Sequence, residues 1–251
     1  MARFGRGHKT ATELDLTRLP RHVAVILDGN GRWAKKRGMP RVAGHAVGVD
    51  RFMDLIRYCG ELGIPYLSAY TFSTENWKRS KDEVSTIMRL LERQLHEAIR
   101  MMEENGVRLR ILGDQTRLAP SIRELITRTD DISRSITDPK TTVGICVNYG
   151  GRDEIVRAAR SFAADCVAGR CRPEDLTEED FARRLYTFEF PDPDLMIRPG
   201  GELRVSNFLI WQTAYTEMYF TDVLWPDFGR REFDRALMAF QNRSRRYGGA
   251  E

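Results

Sequence analysis

Three short polar segments carry residue types suited to chemistry on anions. The first, Asp28-Gly29-Asn30-Gly31-Arg32-Trp33, is followed by Lys35, Lys36, Arg37, Arg41 and His45. Glycine lets backbone N–H groups approach a phosphate closely, and the start of a following helix adds a positive dipole end. Arginine adds forked, charge-assisted hydrogen bonds to the same oxygens. Together these features predict a diphosphate cradle. The Lys-Ser/Thr ending of a Walker A loop and the third glycine of a dinucleotide fingerprint are absent, which disfavours ATP and NAD. Asp28 places a carboxylate among cations. A hard divalent ion such as Mg²⁺, which takes one or two carboxylates plus phosphate oxygens and waters, would reconcile the two. The plainer alternatives are a turn residue for Asp28 and a packed helix-start imidazole for His45.

The second segment, Phe72-Ser73-Thr74-Glu75-Asn76-Trp77-Lys78-Arg79, joins hydroxyl, amide and guanidinium donors to aromatic surface. The third runs from Arg198-Pro199-Gly200-Gly201 through Glu202-Leu203-Arg204-Val205-Ser206-Asn207, a Gly-Gly turn between two arginines and a serine. A second anion pocket beside the first implies two phosphorylated substrates. Glu217 stands in the apolar, aromatic stretch Tyr215 to Tyr219, where an unpaired carboxylate is costly, so a metal or an arginine should satisfy it; a surface-facing carboxylate is the alternative.

These segments need a scaffold that brings them together. Runs read as strands cover 23–28, 67–73, 107–113, 142–148 and 195–198, with a sixth around 218–221, and helical patterns fall at 46–62, 81–105, 120–135, 152–168, 177–186 and 230–246. Such alternation predicts an α/β protein with one open, mostly parallel six-stranded sheet surrounded by helices. Ligands bind such sheets beyond the carboxyl ends of the strands, where all three segments fall. The helix over 81–105 puts Val84, Ile87, Met88, Leu91, Leu95, Ala98 and Met102 on one face, with Ser80 and Glu83 as a capping box and Gly106 as its C-cap.

Composition bounds the rest. With 251 residues, 41% apolar and 30% charged, the chain is neither disordered nor greasy enough for a bilayer. A net charge of +4 is too slight for a nucleic-acid footprint. Cys59, Cys146, Cys166 and Cys171 show no C-x-x-C spacing, which favours reduced thiols in a cytoplasmic protein. The first 20 residues lack an apolar signal region and are expected to form a flexible extension, leaving one catalytic domain over 21–251. Arg243, Arg245 and Arg246 could touch acidic headgroups, although a solvated basic end is the simpler reading.

The sequence resembles the cis-prenyltransferases, most closely their bacterial undecaprenyl diphosphate synthase branch. The resemblance rests on HVAVILDGNGRWAKKRG, Gly44-His45, YTFSTENWKR, VNYGGRDEI, RPGGELRVSNFLIWQ and AYTEMYFTDVLWPDF, in order, from about Arg21 to Gly249. It implies a six-stranded parallel sheet with an apolar tunnel, a homodimer, and repeated condensation of isopentenyl diphosphate onto an allylic primer. The implied primer is (2E,6E)-farnesyl diphosphate and the product a ditrans,polycis-polyprenyl diphosphate such as undecaprenyl diphosphate, the lipid-carrier precursor for cell-wall synthesis. Asp28 would be the catalytic carboxylate and hold Mg²⁺, with Glu217 as the other ligand, reached from the partner's pocket. Gly29, Asn30, Gly31, Arg32, Arg41 and His45 would grip the allylic diphosphate. Trp33, Ser73, Thr74, Glu75, Trp77 and Arg79 match positions shaping the pocket, while Arg198, Arg204, Val205 and Ser206 match the isopentenyl diphosphate site.

Asn76 matches the position assigned as proton acceptor in the family, although a neutral amide is a poor base. Four departures stand out: Leu203 replaces a frequent histidine near the metal, Pro199 a small hydroxyl residue, Thr71 an alanine near the tunnel mouth and Ser80 a proline. Location at the inner face of the membrane, through peripheral contact for product release, completes the expectation. A non-catalytic binding subunit should have lost Asp28 or the arginines, and an RNA binder stacking bases on Trp33 or Trp77 should carry more positive charge.

Overall fold

The computed structural model describes residues 14–243. Six strands, β1 (His22–Ile26), β2 (Tyr66–Ser73), β3 (Val107–Leu112), β4 (Thr141–Tyr149), β5 (Leu195–Pro199) and β6 (Glu217–Thr221), form one sheet in the order β3-β4-β2-β1-β5-β6. Every neighbouring pair is parallel, so the sheet expected to be mostly parallel is wholly so. Around it lie α1 (Asn30–Lys36), α2 (Arg41–Leu62), α3 (Lys81–Asn105), α4 (Pro120–Ser135), α5 (Gly151–Val167), α6 (Glu178–Ala182) and α7 (Arg230–Gln241).

The period of two along a strand sorts the core into two layers. Val23 and Val25 of β1 face a large cluster with Phe52 and Ile56 of α2, Leu95 and Met102 of α3, and Phe233 of α7. Ala24 and Ile26 face a smaller one with Tyr70, Tyr149, Phe208 and Leu209. With both faces covered, all five residues of β1 and of β5 are buried, and they read as apolar runs rather than alternating ones.

Three elements depart from the sequence pattern at their bounds. The helix expected from residue 46 starts at Arg41, directly after Pro40. The one expected over 177–186 stops at Ala182, and α7 ends at Gln241. A helix start after the glycine-rich turn was expected, but α1 had no bounds assigned, because seven residues with only Ala34 buried carry no periodicity to read. Within the expected N-terminal extension, residues 1–13 lie outside the described residues, whereas Leu14 and Leu19 pack on the core and Asp15 and Arg18 bond Gln241 of α7. Arg245 and Arg246 also lie outside the described residues.

His22 opens β1 fully buried. Its Nδ1 lies 2.6 Å from the Pro191 carbonyl, which can only accept, so Nδ1 carries the proton and Nε2 accepts from Ser68 Oγ at 2.8 Å. Burial pushes this imidazole down to about 4. An unfolded chain takes up the proton first, at about 6.5, so the contribution of His22 to stability is complete at neutral pH and is lost as pH falls from about 6.5 through 4, by about 3 kcal/mol. Buried Glu154 works in the opposite sense, its raised carboxyl making stability fall as pH rises. The two are separated residue by residue: the His22 ring resonances should stay at their neutral position from pH 8 to about 5, and titration near pH 6.5 would contradict this account.

Candidate active site

Strand β1 has β2 on one side and β5 on the other, so the chain leaving these three neighbours converges at one edge of the sheet. Asp28 follows β1, the residues from Ser73 to Arg79 follow β2, and Arg198 lies within β5.

Both oxygens of Asp28 are held by arginines. Oδ1 accepts from Arg32 Nη2 at 2.9 Å and Oδ2 from Arg198 Nη2 at 3.0 Å. Arg198 is only 4% exposed, and its Nη1 also donates to Ser206 Oγ at 2.7 Å and to the Arg204 carbonyl. Arg32 reaches across to donate to the Gly200 carbonyl. Gly200 has φ +96°, and a Cβ there would stand 2.7 Å from Arg32 Nη2, so both backbone angle and space demand glycine.

The cradle is brought to Asp28 by close packing of α1 on α2. A Cβ on Gly44 would lie 2.0 Å from the Asn30 carbonyl oxygen, and one on Gly48 would lie 2.2 Å from Asn30 Oδ1. The Gly48 carbonyl also accepts from Trp225 Nε1 at 2.8 Å, while Trp225 N–H donates to the Asp28 carbonyl at 3.0 Å. Through its indole and its backbone amide, one buried tryptophan thus ties α2 to the end of β1.

The second segment forms a 3-10 turn, Thr74–Lys78, closed by its own capping box. Asn76 Oδ1 accepts from Ser73 N–H at 3.1 Å, which leaves the Asn76 NH₂ as the part free to donate. Ser80 caps α3 as expected, accepting from Glu83 N–H, but the Glu83 carboxylate is not returned to the cap. It binds Arg79 at 3.0 Å and Arg41 at 3.6 Å, aligning two guanidinium groups at the mouth. His45 is largely buried beside them; desolvation, and then the Arg79 charge, lower its imidazole, so it is neutral at pH 7. His45 Nε2, Asn30 Oδ1 and Arg198 Nε are buried polar atoms with no hydrogen-bond partner among the described residues.

In the third segment, Ser206, Asn207 and Leu209 have positive φ values of 49°, 65° and 47°. Non-glycine residues held there cost about 1–3 kcal/mol each and persist where surrounding structure over-determines them. Asn207 is fixed on three sides: its carbonyl accepts from Gly151 N–H at 2.7 Å, its Oδ1 from Arg152 N–H at 2.9 Å, and its Nδ2 donates to Glu75 Oε1 at 2.9 Å.

Behind this polar mouth a cavity of about 750 Å³ runs between α2, α3 and the sheet. Asp28, Asn30, His45, Ser73, Glu75, Asn76, Arg79, Arg198, Arg204 and Ser206 line it, together with Asn207. Its depth is apolar: Phe52, Met53 and Ile56 on α2, Ile87, Leu91, Leu95 and Ala98 on α3, and Leu109, Ile145 and Val147 on the sheet. Four of the seven residues on the expected α3 stripe therefore face this space. Thr71 also lines it, with its hydroxyl bonded to the Cys146 carbonyl at 2.8 Å.

Some expected site residues stand at the edge of this arrangement. Gly29 precedes α1 in the left-handed region, Gly31 packs against the Arg41 guanidinium, and Thr74 packs against Gly150. Others are engaged elsewhere. Trp33 donates to Asp227 at 2.7 Å beneath the Arg37 guanidinium, Trp77 donates to Asn148 at 2.6 Å, and Val205 packs into the smaller core cluster. Glu217 opens β6 at the opposite edge of the sheet and pairs with Arg243 at 2.7 Å, so within one chain it does not approach Asp28. Leu203 is 77% exposed. Among the described residues no group of three or more His, Cys, Asp or Glu could hold a metal. Asn207 was not singled out from sequence as a site residue; its place beside Ser206 was the available signal.

The chain matches the prenyltransferase family described as "Putative undecaprenyl diphosphate synthase" over residues 26–248. It is 45% identical to the isoprenyl transferase of Heliobacterium mobile over 99% of this chain and 97% of that protein. Against the trans,polycis-polyprenyl diphosphate synthase ((2Z,6E)-farnesyl diphosphate specific) of Thermobifida fusca it is 49% identical over 93% of this chain and 82% of that protein. In structure it is similar to lavandulyl diphosphate synthase from Lavandula x intermedia, solved with dimethylallyl diphosphate, with a TM-score of 0.89 at 37% identity, covering 93% and 100% of the two chains.

The packing of α1 on α2 makes a direct test. Gly44→Ala should lower stability by about 1–3 kcal/mol, since a methyl cannot coexist with the Asn30 carbonyl, and should weaken inorganic pyrophosphate binding by calorimetry. Unchanged stability and affinity would refute this placement of the cradle.

Proposed function

The chain belongs to the cis-prenyltransferase family of undecaprenyl diphosphate synthases, and from that premise we propose that it condenses isopentenyl diphosphate repeatedly onto a farnesyl-type allylic diphosphate. The observation that carries the reading is the juxtaposition of an arginine-clamped carboxylate with an apolar cavity behind it. Ionisation of the allylic C–O bond leaves negative charge on diphosphate and positive charge on an allyl fragment. Attack by the isopentenyl double bond then forms the new C–C bond, and loss of a proton restores a double bond. Arg32, Arg41, Arg79 and the Gly29–Arg32 backbone are suited to hold the departing diphosphate, and apolar walls shield the allyl fragment from water. Arg198, Arg204 and Ser206 are suited to the isopentenyl diphosphate. Asn76, whose carbonyl oxygen already accepts from Ser73, suits a donor that orients substrate rather than a base.

The donor set fits Mg²⁺ that arrives with substrate. A single carboxylate, Asp28, can supply one oxygen, and diphosphate and water the others, as is common for this ion. Bound there, Mg²⁺ would neutralise charge on the leaving group. We infer that Glu217 contributes, as the resemblance implies, from a second chain in a homodimer.

The primer is inferred to be a fifteen-carbon farnesyl diphosphate. Its double-bond geometry is open between the E form that the resemblance implies and the Z form in the name of the Thermobifida relative. The apolar depth of the cavity, which has a volume of about 750 Å³, is suited to the prenyl tail of such a primer. The product is inferred to be a polycis-polyprenyl diphosphate such as undecaprenyl diphosphate. Each added unit buries five carbons, worth about 4 kcal/mol, so release of product is expected to limit turnover. A role in supplying the cell-wall lipid carrier, with peripheral contact at the inner membrane face, follows from such a product; no helix among the described residues is long and apolar enough to cross a membrane.

Purified protein with Mg²⁺, labelled isopentenyl diphosphate and either farnesyl isomer should yield butanol-extractable label, and Asp28→Ala should reduce it by about a thousandfold or more. Absence of extractable label with every allylic primer would overturn the assignment. Ala98→Phe, which fills the depth of the cavity, should shorten the products on reversed-phase plates; unchanged lengths would remove the α3 face from the chain-holding wall.

A further inference from the structure

Glu154, in the first turn of α5, is wholly buried, with 0% exposure, and the reaction described above makes no use of it. Three donors converge on its carboxylate: Tyr149 Oη at 2.5 Å and Gln212 Nε2 at 3.1 Å on Oε2, and Tyr186 N–H at 2.6 Å on Oε1. All three partners donate, which is the pattern an ionised carboxylate satisfies. Burying one is costly unless hydrogen bonds compensate its charge, as these three do while tying it to its surroundings.

What surrounds it is the back of the strained segment. Gln212 follows that segment directly, and its amide also bonds Thr187 Oγ at 2.7 Å. Tyr149 meets Phe208 edge to face at a centroid distance of 6.2 Å, and Phe208 stacks on Tyr70 at 4.6 Å. The same first turn of α5 holds Asn207 through Gly151 and Arg152. Among the described residues four non-glycine residues have positive φ: Ser206, Asn207 and Leu209 cluster about this anchor, and the fourth, Asn148, is next to Tyr149.

We propose that Glu154 is a positioning residue for the isopentenyl diphosphate pocket: its carboxylate clamps Tyr149, Tyr186 and Gln212 so that Ser206 and Asn207 keep their left-handed backbone and Ser206 stays on Arg198. The inference rests on the assignment of Arg198, Arg204 and Ser206 to that substrate. Glu154→Gln preserves shape but turns one accepting oxygen into a donor facing donors, and Tyr149→Phe removes one donor while leaving the ring.

Steady-state kinetics with each substrate varied in turn provide the test. Glu154→Gln should raise KM for isopentenyl diphosphate by about tenfold or more, the loss expected for a broken buried charged hydrogen bond, with KM for the allylic primer changed by less than about twofold. Tyr149→Phe should shift the same constant in the same direction by a smaller factor, and it stands in if Glu154→Gln does not fold. Equal changes in both KM values, or none in either variant, would overturn the positioning role. Wild-type protein that makes no prenyl product would instead overturn the assignment of function, so the two failures are distinguishable.

Discussion

The Arg198 guanidinium is buried at the end of β5, and its charge is compensated by Asp28 at the end of β1. Most of the site follows from that one pairing. A buried cation left without its anion costs about 3–5 kcal/mol, so the two strands must be neighbours and their ends must stay in register. Arg32 then takes the second oxygen of Asp28, and its span to the Gly200 carbonyl requires a glycine where a side chain would collide. Trp225 holds the Asp28 carbonyl from below, and Gly44 and Gly48 let α1 settle close enough for Arg32 to reach. The carboxylate is therefore a structural counter-ion as well as a candidate reactive group, and its loss should be felt in stability as well as in turnover.

The same edge of the sheet divides two solvents. On one side stand guanidinium groups aligned by Glu83 and Asp28; on the other, within the same cavity, α2 and α3 present only methyl, methylene and aromatic surface around Gln94. An amphipathic substrate with an anionic head and an aliphatic tail is oriented by that boundary alone, because reversing it would strand a charge among apolar walls. Helix α3 makes the boundary long. Within its 25 residues the stretch from the Glu83 clamp near the mouth to Ala98 at depth runs along the cavity, so a growing tail meets one continuous surface.

Much of this was legible in the residues themselves. Apolar runs ending in polar loops marked the strands and the edge where chemistry collects, and the α3 stripe fixed a wall whose inner face lines the cavity. Asp28, Arg32, Arg198 and Ser206, named together from the resemblance, are hydrogen-bonded neighbours, which no local pattern connects across the 170 positions between Asp28 and Arg198. Three features escaped for physical reasons. Helix α1 is too short to show a period. The tryptophans Trp33 and Trp77 look like substrate platforms in sequence, yet each indole N–H finds a carboxylate or amide acceptor away from the cavity. Glu83 reads as half of a capping box, but two arginines compete more strongly for its charge than one backbone N–H does. Glu217, expected to be satisfied by a metal or an arginine, is paired within its own chain by Arg243.

The polar groups at the mouth bear on how affinity arises. A buried donor with no acceptor costs about 1–3 kcal/mol in the free protein, and that penalty is removed only when an acceptor reaches it. Arg198 Nε and, in one tautomer, the neutral His45 Nε2 are such donors, and both belong to residues lining the cavity beneath the arginine-rich rim. A diphosphate brings several charged acceptor oxygens at once to the guanidinium groups of that rim, whereas the two orphaned donors lie below the accessible surface and remain a cost carried by the fold. An uncharged prenyl alcohol offers one oxygen and no charge. Discrimination for the diphosphate therefore rests on the number and charge of its oxygens, which the guanidinium groups of Arg32, Arg41 and Arg79 at the mouth can pair.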